Sequence, residues 1–177
     1  MTTKSINGNP LVILLVEDNQ AHAELIVRSF EDHRVVNSIY HVTDGEAALD
    51  YLFQRGDYVD LAKSPRPHVI LLDLRLPKID GLEVLKQIKS APGIDKIPVV
   101  ILTTSTAERD VAGAYEAHAN SYLVKPVDFE KFTTLMSELG FYWLGWNHYP
   151  WSDAEHNQFG VYTADDSMIW YGQKQSI

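Results

Sequence analysis

The stretch Val69–Gly81, VILLDLRLPKIDG, decides the fold. Its four leading apolar residues suit a strand covered on both faces, as strands of parallel sheets are. Asp73 ends that run directly, and beyond Gly81 a helix-like pattern occupies 81–90. The same alternation recurs on both sides. Strands are predicted over Leu11–Val16, Ser38–Val42, Val69–Leu72, Val99–Leu102 and Ser121–Val124, with helix-like segments near 20–31, 45–55, 81–90, 107–118 and 128–139. In the last of these Phe129, Phe132, Leu135, Met136 and Leu139 share one stripe, and Asp128 suits an N-cap. Five strand–helix alternations predict a doubly wound α/β sandwich of about 130 residues. Residues 56–67 read as a polar loop punctuated by proline, and 147–177 as a tail without a clear period.

The composition narrows the class. The 177 residues carry 15 Lys and Arg against 24 Asp and Glu, a net charge of −9, and no cysteine. Disulfides, thiolate metal sites and cysteine nucleophiles are thereby excluded. The acidic balance disfavours broad binding to a phosphate backbone and a polybasic membrane anchor. The opening MTTKSINGNP lacks the apolar core of a secretory signal, and the apolar runs are too short to span a bilayer. A soluble, cytoplasmic protein is expected. All four Trp and 10 of the 19 aromatic residues fall within 141–177, so the chain has two compositions.

In open parallel sheets, ligands bind beyond the carboxyl ends of the strands. The first predicted strand is followed by Glu17, Asp18 and Asn19, the third by Asp73, the fourth by Thr103, Thr104 and Ser105, and the fifth by Lys125 and Pro126. Three carboxylates suit a hard cation such as Mg²⁺, and a lysine beside them offers a point charge for phosphate. Each residue also has an ordinary explanation. Asp18 can cap the next helix, the hydroxyls can start one, and a lysine before proline can be a solvated surface residue. Only their joint placement on consecutive strand ends argues for a site.

That arrangement resembles the receiver domain of two-component response regulators. The resemblance rests on Glu17-Asp18, on DLRLPKIDG with Pro77 and Gly81 four and eight residues after Asp73, and on Thr103, Tyr122 and Lys125-Pro126. The 22-residue step from Thr103 to Lys125 also fits. Within the family the chain looks most like single-domain regulators paired with phytochromes, on the segments YLFQRGDYVDLAKSPRPHVILLDL and IPVVILTTS and on the FYW after the last helix. The resemblance implies a flavodoxin-like sheet of strand order 2-1-3-4-5 with helices on both faces. It also implies an N-terminal arm over 1–9, a receiver over 10–140 and an aromatic extension over 141–177.

The resemblance further implies that Asp73 accepts a phosphoryl group from a sensor histidine kinase of phytochrome type. Glu17, Asp18, Asp73 and the Arg75 backbone carbonyl would hold Mg²⁺, or Mn²⁺ in its place, with Glu17 acting mainly through water. Lys125, the Thr103 hydroxyl and the Thr104 N–H would bind phosphoryl oxygens, and Thr103 with Tyr122 would form the switch. Arg75 and Ser105 flank the acceptor and would tune hydrolysis, with Arg75 obstructing in-line water unless it is simply a solvated loop arginine. His118 stands where the family usually has glycine. The resemblance implies no enzyme activity beyond the protein's own phosphorylation and dephosphorylation. Phe141, Tyr142, Trp143 and Trp146 would extend a homodimer interface on the fourth helix, fifth strand and fifth helix, or else fold back on their own domain. A hydrolase with an aspartyl nucleophile usually has a second Asp two residues on, where this chain has Arg75. A receiver-like binding module that ignores phosphate is the other alternative. No basic helix pair follows the receiver, so direct DNA binding is not expected.

Overall fold

The computed structural model describes residues 11–31, 37–149, 161–162 and 168–169. The arm over 1–9 and most of the tail lie outside them. In chain order come β1 (Leu11–Val16), α1 (Gln20–Glu31), β2 (Asn37–Val42), α2 (Gly45–Leu52), a 3₁₀ turn (Gly56–Tyr58), β3 (Val69–Leu72) and α3 (Gly81–Ser90). Then follow β4 (Val99–Thr103), α4 (Glu108–Glu116), β5 (Ser121–Val124), α5 (Phe129–Gly140) and a π-helical turn (Phe141–Trp146). The five strands form one parallel sheet in the order β2-β1-β3-β4-β5.

Alternation along the strands builds two cores. Leu14, Val16, Ile70, Leu72, Val99 and Ile101 face α2, α3 and α4 through Leu49, Val84, Leu85, Ile88 and Ala114. Leu11, Ile13, Leu15, Val69, Leu71, Val100 and Leu102 face α1 and α5 through Ile26, Phe30, Phe132 and Met136. Both faces of β1, β3 and β4 are thus covered, which is why β1, β3 and Val99–Leu102 of β4 are apolar throughout.

Several boundaries differ from the sequence reading. α2 ends at Leu52, because Gln54 (φ 54°) and Gly56 (φ 57°) turn the chain into the left-handed region. The polar loop that follows holds the 3₁₀ turn and is pinned by the Tyr51 hydroxyl, which donates to the Pro65 carbonyl at 2.7 Å. Asp128 caps α5 by accepting from the Lys131 N–H at 2.9 Å. Phe129 leaves the predicted stripe: it is 61% exposed, whereas Phe132, Met136 and Leu139 are buried. The reason is its place on the first residue of α5, before the helix reaches α1.

The proposed boundary at 140 cuts through packed structure. α5 runs without a break into the π-helical turn, which buries Trp143 and Leu144 in the second core. Tyr149 donates its hydroxyl to the Trp143 carbonyl at 2.8 Å and sets its ring edge-on to His68. Further on, Val161–Tyr162 (β6) and Met168–Ile169 (β7) pair antiparallel, so the tail holds a short hairpin that its sequence did not announce.

Candidate functional site

Strand register assembles the site. Val16 of β1 lies opposite Leu72 of β3, so Glu17-Asp18 and Asp73 leave the sheet side by side. The ladder continues one residue past each strand, with Glu17 N–H donating to Val42 O, Asp73 N–H to Val16 O and Lys125 N–H to Thr103 O, at 2.8–3.0 Å. Backbone bonds therefore fix the positions of Glu17, Asp73 and Lys125. Gly81 completes the frame. A Cβ there would lie 2.1 Å from the Asp73 carbonyl oxygen, so only glycine lets α3 begin against the end of β3.

Lys125 is the centre of charge. Its buried ammonium contacts Glu17 Oε2 at 2.5 Å and Asp73 Oδ2 at 2.6 Å. The second Asp73 oxygen accepts from the Arg75 backbone N–H at 3.1 Å. Burial pushes the Asp73 carboxyl up, but the Lys125 ammonium, the Arg75 N–H and the Thr103 hydroxyl outweigh it and hold the group below the ordinary carboxyl range. Glu17 Oε1 accepts from the Asn19 N–H at 3.2 Å, and its carbonyl meets His41 Nε2 at 2.7 Å.

Glu17, Asp18 and Asp73 each bring a carboxylate oxygen within 4.8 Å of the others; Glu17 and Asp73 are buried and Asp18 is exposed. One ammonium against three carboxylates leaves negative charge in excess, and the donors are all oxygens. That set fits a hard divalent cation. Thr103 is fully buried, and its Oγ1 accepts from the Ser105 N–H at 3.4 Å. Thr104 is exposed. Tyr122 is half-buried and donates its hydroxyl to the Ser105 carbonyl at 3.0 Å.

Arg75 is no free loop arginine. Nη2 and the Ser105 hydroxyl both donate to Asp110 Oδ2, and Nη1 lies 4.0 Å from Asp80 Oδ2. The sequence reading missed Asp110. Its only local signal is a place in the first turn of a helix, where an acid is ordinary. Among the four aromatics proposed for an interface, Trp143 is 7% exposed and packs in its own core, which removes it from any partner-facing set. Phe141, Tyr142 and Trp146 are 59%, 53% and 65% exposed.

Sheet order and site together define a receiver. The family model for the response regulator receiver domain matches residues 13–137, and the chain belongs to that family. It is 51% identical over 143 residues to the probable methanogenesis regulatory protein FilR2 of Methanothrix harundinacea, covering 80% of this chain and 89% of that one. It is 43% identical over 135 residues to response regulator Rcp1 of Synechocystis sp., covering 76% and 90%. The Mn²⁺-bound crystal structure of Rcp1 superposes with a TM-score of 0.76 at 42% identity, over 80% of this chain and all of the other. The phosphorylated cyanobacterial phytochrome response regulator RcpA gives 0.76 at 39%, over 81% and 100%. Among the described residues no helix is long and apolar enough to cross a membrane.

Proposed function

We propose that this protein is a single-domain response regulator in which Asp73 takes a phosphoryl group from a sensor histidine kinase and thereby switches protein–protein contacts in the cytoplasm. One observation carries the reading: a buried aspartate at the end of the central strand, set between a buried lysine and an acidic pair. As a carboxylate oxygen of Asp73 bonds to phosphorus, the P–N bond of the phosphohistidine breaks and its electron pair returns to the imidazole. Phosphoryl transfer needs alignment and charge neutralisation more than covalent help. Arg75 N–H orients the Asp73 carboxylate, and Lys125 is within reach of the incoming oxygens. The Thr103 hydroxyl and Thr104 N–H are further donors. Glu17, Asp18, Asp73 and the Arg75 carbonyl would hold Mg²⁺ or Mn²⁺, whose charge offsets the negative charge that gathers there.

The switch would run through Thr103. A hydroxyl drawn toward the phosphoryl oxygens gives up its bond to Ser105 N–H, on the segment whose carbonyl holds Tyr122. Arg75 and Ser105 would govern access of water to the acyl phosphate. The likeness to RcpA supports a phytochrome-type kinase, and the likeness to FilR2 favours a kinase that reads another signal. Phosphotransfer that differs between red and far-red light decides for the first. Exposed Phe141, Tyr142 and Trp146 beside α5 support a homodimer on the α4-β5-α5 face. Sedimentation checks it, and a Phe141→Ser/Trp146→Ser variant that stays dimeric removes these side chains from the interface. A net charge of −9 gives no support to direct DNA binding. The test of the core reading is intact mass after incubation with acetyl phosphate and Mg²⁺. One added phosphoryl group, absent in Asp73→Asn, is expected; no gain in the native protein overturns the reading.

A further inference from the structure

Arg75 and Ser105 come from different loops, yet one carboxylate holds both. Asp110, 9% exposed, accepts through Oδ2 from Arg75 Nη2 and from the Ser105 hydroxyl, while Oδ1 lies 3.9 Å from Arg109 Nε. The connection reaches further at each end. Arg75 N–H donates to Asp73, and the Ser105 carbonyl accepts from the Tyr122 hydroxyl. Hydrogen bonds from the backbone and side chains of Arg75 and Ser105 thus link Asp73, Arg75, Asp110, Ser105 and Tyr122, drawn from two loops, α4 and β5.

An acid in the first turn of a helix ordinarily serves that helix by complementing its dipole or capping its N–H groups. Asp110 does more, because its hydrogen bonds from side chains come from outside α4. An arginine side chain half exposed to water would otherwise sample many rotamers. A charge-assisted bond to a nearly buried carboxylate, itself held by a hydroxyl, gives it one position.

We infer that Asp110 is a positioning residue for the lifetime of the phosphoryl group: it joins Arg75 and Ser105 into one wall beside Asp73 and so restricts the in-line approach of water. The inference rests on the proposed role of Asp73 as phosphoacceptor. Asp110 stands outside the carboxylate cluster of Glu17, Asp18 and Asp73 and acts through Arg75 and Ser105.

The test is a double-mutant cycle read as the rate of phosphoryl loss, followed by intact mass after acetyl phosphate is removed. Asp110→Asn keeps the shape of the side chain and removes its charge, and should lose phosphate about five-fold faster than the native protein. Adding Asp110→Asn to Arg75→Ala should change the rate little beyond Arg75→Ala alone, because the carboxylate works through the guanidinium. Ser105→Ala, which leaves the ion pair in place, should give a smaller acceleration, and it keeps the test open if Asp110→Asn folds poorly. An unchanged or slower loss in Asp110→Asn overturns the inference, as does an effect that multiplies fully with that of Arg75→Ala. A native protein that gains no phosphoryl group fails the acceptor reading itself, whereas normal uptake with unaltered loss fails only the role of Asp110.

Discussion

At the scale of single residues, the site is an exercise in keeping a carboxylate charged where burial opposes it. Asp73 titrates below its ordinary value of 3.8, so the folded state gives up this proton more readily than the unfolded chain. Asp44 is likewise lowered: burial raises it, but the Ala47 N–H and Lys78 prevail. The stability both contribute is complete above the unfolded value and is lost as pH falls through the depressed folded values. Urea midpoints in metal-free buffer should therefore hold steady down to about pH 5 and drop below about pH 4. Asp73→Asn should make that drop shallower; an identical acid limb in the variant would deny Asp73 a part in it. A second residue carries strain. His118 has φ 63° and an exposed side chain: it is the left-handed residue that ends α4, where its N–H donates to the Tyr115 carbonyl and the Ala119 N–H to the Ala114 carbonyl, a place that favours glycine. His118→Gly should raise stability by about 0.5–1 kcal/mol, seen as a higher urea midpoint. This departure from the family pattern was visible in sequence, but its backbone cost was not.

At the scale of elements, the start of α3 decides where Asp73 stands. Asp80 caps the helix by accepting from Leu82 N–H at 3.0 Å, and Gly81 N–H donates to the Leu74 carbonyl. With a Cβ at 81 only 2.1 Å from Asp73 O and 2.7 Å from Leu74 Cα, either α3 or the end of β3 has to move. Gly81→Ala should lose more than about 2 kcal/mol in urea unfolding and slow phosphoryl uptake at Asp73. Gly145→Ala, where nothing lies within 4 Å of the new atom, is the control and should stay within about 1 kcal/mol. The spacing from Asp73 to Gly81 was legible as a motif. Its cause is a backbone approach that no spacing displays.

At the scale of the whole molecule, the aromatic end divides in two. Trp143 and Leu144 complete the core between the sheet, α1 and α5, while Phe141, Tyr142 and Trp146 face outward. Ending the chain at 140 should therefore destabilise the domain. Trp143→Ala alone should cost about 3–5 kcal/mol, measurable by thermal or urea unfolding of the full chain. A truncated protein as stable as the full one would show that these side chains add nothing to the core. The same division means that dimerisation is better tested by surface substitutions than by truncation, which removes core and surface together.

The sequence by itself determined the alternation of strands and helices, the two-sided burial of the central strands and the residues at their carboxyl ends. Those features are local: an apolar run, a helical period, an acid where the run stops. Only the tertiary structure decided that Asp110 reaches Arg75, 35 positions away, that Lys125 bridges Glu17 and Asp73, that Trp143 turns inward and Phe129 outward, and that the tail forms a hairpin. Those outcomes depend on which surfaces packing brings together, and a side chain's partner is chosen by proximity in space, which the order of residues along the chain leaves open.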